Sequence, residues 1–296
     1  MCANCALSAR AWRASAPPRP RRSGRDIFRL IAAPPPPQPP AIPPTVEVLG
    51  IPLAVSDYDR VLDWMQATIA ARAPAYVTAA AVNLVMSAQE DPVARAAVLG
   101  ATLAVPDGQP LVWALRALGH SEATRVYGPD LMALACARAA DTGTPMFLYG
   151  GRTPDALRLL ERRLLARFPG LQIAGGHSPP FRELSVEEQQ AVIAEINSSG
   201  AEVVWVGTGQ PKQEKWMLSM RPHLSAPLLV GVGAAFDFHA GLVAQAPRWM
   251  QRAGLEWSYR LAREPRRLWP RYVRYNPRFI AGFARQYVRH LREGRR

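Results

Sequence analysis

Apolar and polar positions along the chain change period repeatedly. Short apolar runs, several rich in β-branched residues, lie at 76–78, 102–105, 146–149, 171–174, 203–206 and 228–232. They are too short for helices and too continuous for strands with one wet face, so they predict buried strands of a parallel sheet. Between them lie stretches with helical spacing: 56–71, 83–89, a helix opened by Asp91-Pro92, 111–118, 131–140, one starting at Thr153, and 185–197. Thr153 has the chemistry of an N-cap, with Pro154 in the first helical position. Ahead of the first helix, V-E-V-L-G-I-P-L from Thr45 predicts a strand pair or short hairpin. Strands alternating with helices predict an α/β fold, a Rossmann-like, mostly parallel sheet with helices on both faces.

Two segments fall outside that rhythm. Residues 1–44 are dominated by Pro, Ala and Arg, with four prolines at 34–37, and cannot bury enough apolar surface to fold. They predict a disordered leader, followed by an α/β domain over 45–245. From residue 246 arginines interleave with Trp and Tyr, and Phe279, Phe283 and Tyr287 recur four apart, which places one apolar stripe along a helix. Residues 246–296 therefore predict a helical, basic, aromatic appendage.

The chain has 296 residues, 49% hydrophobic, enough for one substantial core. Its formal net charge of +13 favours nucleic acid, anionic lipid or phosphorylated substrates without choosing among them. No apolar run is long enough to span a bilayer, and the N-terminus lacks the apolar core of a secretory signal. Cys2 and Cys5 form a C-x-x-C with no second pair to complete a zinc site, and with Cys136 they read as free thiols. The five histidines are scattered, so no structural metal is expected.

Candidate chemistry concentrates where strands end. Asp107 closes a strand and precedes Gly108, at the carboxyl edge where open α/β sheets bind ligands; on pattern alone an Asp-Gly turn with no chemistry is the better reading. Gly150 and Gly151 precede a helix N-terminus, a setting that favours phosphate. The turns at Gly207-Thr208-Gly209 and Gly231–Gly233 exit two further strands at the same edge. Three glycine turns at one edge predict a nucleotide crevice, with Gln210, Gln213 and Asp237 in reach of base or ribose hydroxyls and Lys212 and Lys215 of phosphate.

The run W-V-G-T-G-Q-P-K-Q-E-K-W (205–216), G-V-G-A-A-F-D-F-H-A-G (231–241) and A-P-R-W-M-Q-R-A-G-L-E-W-S-Y-R-L (246–261) resembles the WecG/TagA/CpsF family of bacterial glycosyltransferases. The likeness extends through E-P-R-R-L-W-P-R-Y (264–272) and N-P-R-F (276–279), and back to V-P-D-G (105–108) and R-V-Y-G-P-D-L (125–131). It implies an inverting transferase that moves a sugar, N-acetylmannosamine or a relative, from UDP to a polyprenyl-diphosphate-linked sugar. Such an enzyme would serve surface-polysaccharide or cell-wall polymer assembly, peripheral at the cytoplasmic face of the membrane. It implies Asp107 as the base, the appendage as a device that docks on anionic lipid and closes over the site, and Arg260, Arg266 or Arg267 on the diphosphate, in place of a metal. No cofactor beyond the UDP-sugar and no nucleic-acid partner are expected, and a homo-oligomer is left open.

The sequence departs from the family at its T-x-N motif, where ungapped counting from Asp91-Pro92 puts Ala79 and Ala81. Thr78 and Asn83 are the nearest substitutes for contacting a sugar. Asp57 and Asp59 form an Asp-x-Asp of the kind that holds a metal on a sugar nucleotide, but Ser56 with Asp59 also makes a capping box, the favoured reading. Two competing classes are a dinucleotide oxidoreductase, weakened because Gly207-Thr208-Gly209 lacks the third glycine of G-x-G-x-x-G, and a nucleic-acid-binding protein, suggested by charge alone.

Overall fold

The computed structural model describes residues 40–293, except the side chain of Arg267. The predicted leader up to residue 39, with Cys2 and Cys5, lies outside the described residues.

The chain opens with an antiparallel hairpin, β1 (Thr45–Val48) and β2 (Ile51–Ala54), then α1 (Tyr58–Ala70) and β3 (Ala75–Ala80). Next come α2 (Val82–Glu90), α3 (Pro92–Leu99), β4 (Leu103–Pro106), α4 (Gln109–Ala117), α5 (Gly128–Thr142) and β5 (Met146–Gly150). The second half runs α6 (Pro154–Arg167), β6 (Ile173–His177), α7 (Val186–Ser198), β7 (Val203–Gly207), α8 (Lys212–Met220) and β8 (Leu228–Gly231). It ends with α9 (Ala235–His239), α10 (Arg248–Arg252), α11 (Glu256–Arg263) and α12 (Pro265–Glu293).

Strands β3 to β8 form one sheet in the order β4-β3-β8-β7-β5-β6, every pair parallel. All carboxyl ends therefore share one edge. Side chains alternate across this sheet with the period of two that a strand imposes. Val203 and Trp205 of β7 enter the core under α1, α5 and α6, whereas Val204 and Val206 enter the opposite core with Val192, Met217 and Met220. Both faces are covered, which is why these strands lack an apolar–polar alternation in the sequence.

Local signals place several helix starts. Thr153 accepts the Ala156 N–H, Asp91 accepts those of Val93 and Ala94, and Ser185 forms a capping box with Glu188. The first helix corrects the expectation by one residue. Its N-cap is Asp57, which accepts the Arg60 N–H at 2.9 Å, and not Ser56. Asp59 faces Arg138 at 3.5 Å.

The appendage brings the larger correction. The stripe Phe279–Phe283–Tyr287, expected to lie on a membrane, turns inward. Phe279 is buried, and Tyr275, Phe283 and Tyr287 pack with it on a cluster that includes Val48, Leu84 and Leu111. Gln286 fixes the register of α12, accepting from the Leu49 N–H at 2.8 Å and donating to the Glu47 carbonyl at 2.6 Å. Glu90 of α2 pairs with Arg274 and Arg278. A stripe of three aromatic rings buries more area against the hairpin and α2 than either could cover alone, so the helix completes the protein's own core. A different face stays exposed: Trp269, Val273, Ile280 and Leu291, separated by 4, 7 and 11 positions, lie on one side of α12.

Candidate active site

The carboxyl edge of the sheet floors a cleft of about 2540 Å³, roofed by α11 and flanked by α12. That exceeds the ~300–1,000 Å³ of an ordinary small-ligand pocket.

Asp107 lines the cleft, immediately after β4. The parallel pairing of β3 with β4 holds its backbone, the Asp107 N–H bonding the Ala80 carbonyl at 2.8 Å. Its Oδ1 accepts the Gly128 N–H, at the positive end of α5, at 2.8 Å. Burial pushes its pKa up to about 6, against the opposing pull of Arg125 and the Gly128 N–H; Glu256 adds to the rise and Arg260 opposes it. No described residue hydrogen-bonds Oδ2.

Around it lies a network that sequence reasoning missed. The Arg125 Nε donates to the Asp107 main-chain carbonyl at 2.5 Å, and its Nη2 pairs with Glu256 at 2.6 Å. The second Glu256 oxygen accepts from the Tyr127 hydroxyl at 2.8 Å, and the Arg125 guanidinium lies 4.0 Å from the Tyr127 ring centre. A second clamp joins Arg152 to Asp237 in bidentate fashion at 2.9–3.0 Å, with Glu264 at 3.5 Å. One signal was on the page: in residues 246–292 the only acids are Glu256 and Glu264, and both reach these arginines.

The remaining expected residues divide. Asn83, Gly108, Gly151, Gly207, Gly209, Gln210, Asp237 and Arg260 line the cleft. Gln210 also donates to the Ala79 carbonyl at 2.5 Å, and Arg260 lies over the Phe238 ring. Asp237 is held by Arg152 instead of standing open. Gly209 adopts φ +85° with nothing within 4 Å of where a Cβ would be, as a ligand-facing turn requires. Gly150 does not line the cleft. At φ +141° a Cβ would stand 2.8 Å from the Gly207 backbone, so this glycine allows two strand ends to approach.

Thr78 and Gln213 are elsewhere too. Both are fully buried and both donate to Glu214 Oε1, at 2.6 and 2.8 Å. Residue 78 points beneath the sheet because its neighbours Val77 and Ala79 point to the other face. Arg266 is exposed and outside the cleft lining, and the side chain of Arg267 lies outside the described residues. Ala79 and Ala81 line the floor, with Ala81 at the N-cap of α2 and no side-chain cap there. Lys212 lines the cleft, and Lys215 pairs with Asp91 at 2.5 Å. Among the described residues no cluster of three His, Cys, Asp or Glu side chains gathers, and Asp57 and Asp59 stand on α1, away from the cleft lining.

The motif residues Val105–Gly108, Arg125–Leu131 and 205–279 thus converge on one edge. The profile of the glycosyl transferase WecG/TagA/CpsF family matches residues 46–293. This chain belongs to the WecG/TagA/CpsF family of glycosyltransferases. Membership establishes a glycosyltransferase of the kind used in cell-wall and polysaccharide synthesis, a family whose substrates are in general sugar nucleotides and lipid-linked acceptors. It also sets aside the oxidoreductase and nucleic-acid readings. No described helix is long and apolar enough to cross a membrane.

Proposed function

We propose that this WecG/TagA/CpsF transferase moves a sugar, N-acetylmannosamine or a relative, with inversion from UDP to a polyprenyl-diphosphate-linked sugar at the cytoplasmic face of the membrane. The observation that carries this reading is Asp107: a carboxylate in the cleft lining at the carboxyl edge of the sheet, anchored through one oxygen, with its pKa pushed up to about 6. Such a group is ionised near neutrality yet basic enough to accept a proton. In the step, an acceptor hydroxyl oxygen bonds to the anomeric carbon as its proton passes to Asp107. The bond from that carbon to the diphosphate oxygen breaks, and UDP leaves with the electron pair. Arg260, cationic and in the cleft lining, would offset the charge growing on the diphosphate.

The membrane contact is assigned to the outer face of α12. Trp269 is 59% and Ile280 67% exposed, while Arg285, Arg289 and Arg292 follow helical spacing about half a turn round the helix from them. A helix that carries both exposed apolar side chains and arginines suits an anionic bilayer surface. The test is UDP release from a panel of UDP-sugars in the presence of lipid-diphosphate acceptors. Release that requires one UDP-sugar and a lipid-diphosphate acceptor supports the reading; a panel with no acceptor-dependent release overturns it.

A further inference from the structure

The cover over the cleft is held in an unusual way. No residue of α11 is buried, and Trp257 meets Tyr272 of α12 edge-on. Its other anchors are polar: Glu256 on Arg125 and Tyr127, with Arg260 over Phe238 and, one residue past the helix, Glu264 on Arg152. Glu256 is the deepest of these, its side chain 12% exposed against 17% for Arg125. Arg125 is therefore shared. Its Nε holds the Asp107 main-chain carbonyl and its Nη2 the Glu256 carboxylate, and the charges of both acids act on it.

We propose that Glu256 is a positioning residue: through Arg125 it couples the seating of α11 over the cleft to the charge on Asp107. With Asp107 neutral, Arg125 and Glu256 balance one to one. With Asp107 ionised, a second anion competes for the same guanidinium in a water-poor site, where like charges repel strongly. Coupling of this kind is reciprocal. Since Glu256 raises the pKa of Asp107, a proton on Asp107 must strengthen the seat of Glu256. The sign follows: the seated form holds the proton more tightly, so seating is favoured at low pH and loses ground as pH rises through about 6. On the reading of Asp107 as the base, which this inference deepens, the cover is firmest just after the acceptor's proton has been taken and loosens once that proton leaves.

Other groups face the same centre. Tyr58 of α1 accepts the Tyr127 N–H and donates to Asp130 of α5, and burial raises the pKa of both tyrosines. His239 of α9 bonds the Pro129 carbonyl, and burial lowers its pKa. Arg260 of α11 faces Asp107. A variant at Asp107 separates its contribution from all of these.

The experiment needs no sugar nucleotide, so it stands or falls independently of the proposed activity. Hydrogen–deuterium exchange of the α11 peptide, corrected for intrinsic rates, is followed from about pH 5 to about pH 8. The full chain is compared with Asp107→Asn, Glu256→Gln and Glu264→Gln, and the β8 peptide reports global folding. In the wild type, α11 protection falls several-fold across this window, with a ceiling of ~10-fold between about pH 5 and about pH 8 if Glu256 and its helix cause the whole rise at Asp107. Asp107→Asn stays protected and flat, Glu256→Gln is less protected and flat, and Glu264→Gln is less protected but keeps the wild-type slope. A flat wild-type profile, or an Asp107→Asn profile that keeps the wild-type slope, overturns the coupling. If β8 shows that Glu256→Gln does not fold, the wild type and Asp107→Asn still decide.

Discussion

Glu214 offers a stability prediction that can be worked through. It is fully buried beneath the sheet edge, and Thr78 and Gln213 both donate to its Oε1. Its Oε2 and the Gln213 Oε1 have no hydrogen-bond partner. Two orphan acceptors in a dry site are costly, and a proton on Oε2 turns one of them into a donor. Burial accordingly lifts its pKa from 4.5 to about 7, despite the bonds from Thr78 and Gln213. The fold thus holds this proton more tightly than the unfolded chain does. Its stabilising effect is complete below about pH 4.5 and is lost as pH rises through about 7. A difference of that size corresponds to at most about 3 kcal/mol. Glu214→Gln replaces Oε2 with an amide donor and removes the titration. Urea unfolding of wild type and variant at about pH 6 and about pH 8 isolates the effect as a double difference, in which Asp107 and other titrating groups cancel. The variant should gain on the wild type by about 1 kcal/mol between the two conditions. An equal stability difference at both pH values would show that Glu214 does not titrate in this range, and the reasoning would fail.

Three further outcomes are expected. Phe279→Ala, which empties the inward stripe of α12, should cost ~3–5 kcal/mol in chemical denaturation and raise exchange along that helix, whereas a membrane-facing Phe279 would cost almost nothing. Ile280→Asp, on the exposed face, should leave the melting temperature within a few degrees and reduce co-sedimentation with anionic vesicles; unchanged sedimentation would refute the assignment of that face. Gly150→Ala, which drives a methyl into the Gly207 backbone at a positive φ, should destabilise by ~2 kcal/mol or more in a thermal melt, whereas Gly209→Ala should cost only ~1 kcal/mol of backbone strain.

The sheet was legible because period-two burial on both faces leaves short apolar runs between helices, and β7 and β8 carry that signature plainly. The Thr153 cap and the helix starts at Asp91-Pro92 and near Ser185 were legible from local chemistry. What failed was long-range. Thr78 and Gln213 sit among cleft-lining neighbours in sequence, yet the alternation of β3 and the inner face of α8 turn both toward Glu214. The aromatic stripe of α12 was visible, but not which partner it met, since an amphipathic helix serves a core and a membrane equally well. Arg125 and Glu256 are separated by 131 positions, and no periodicity relates them. Gly150 and Gly207 looked like phosphate turns, but Gly150 serves close backbone approach and a Cβ on Gly207 would strike the Phe236 ring.

The central claim is that Asp107 takes the acceptor's proton. Its most direct test is the pH dependence of UDP release by wild type and Asp107→Asn, under the one UDP-sugar and lipid-diphosphate acceptor that support turnover. The wild-type rate should fall as pH drops below about 6, where Asp107 becomes protonated, and the variant should lose ~100-fold or more in kcat with little change in donor KM. A variant that turns over at the wild-type rate, with the acid limb intact, would contradict the account.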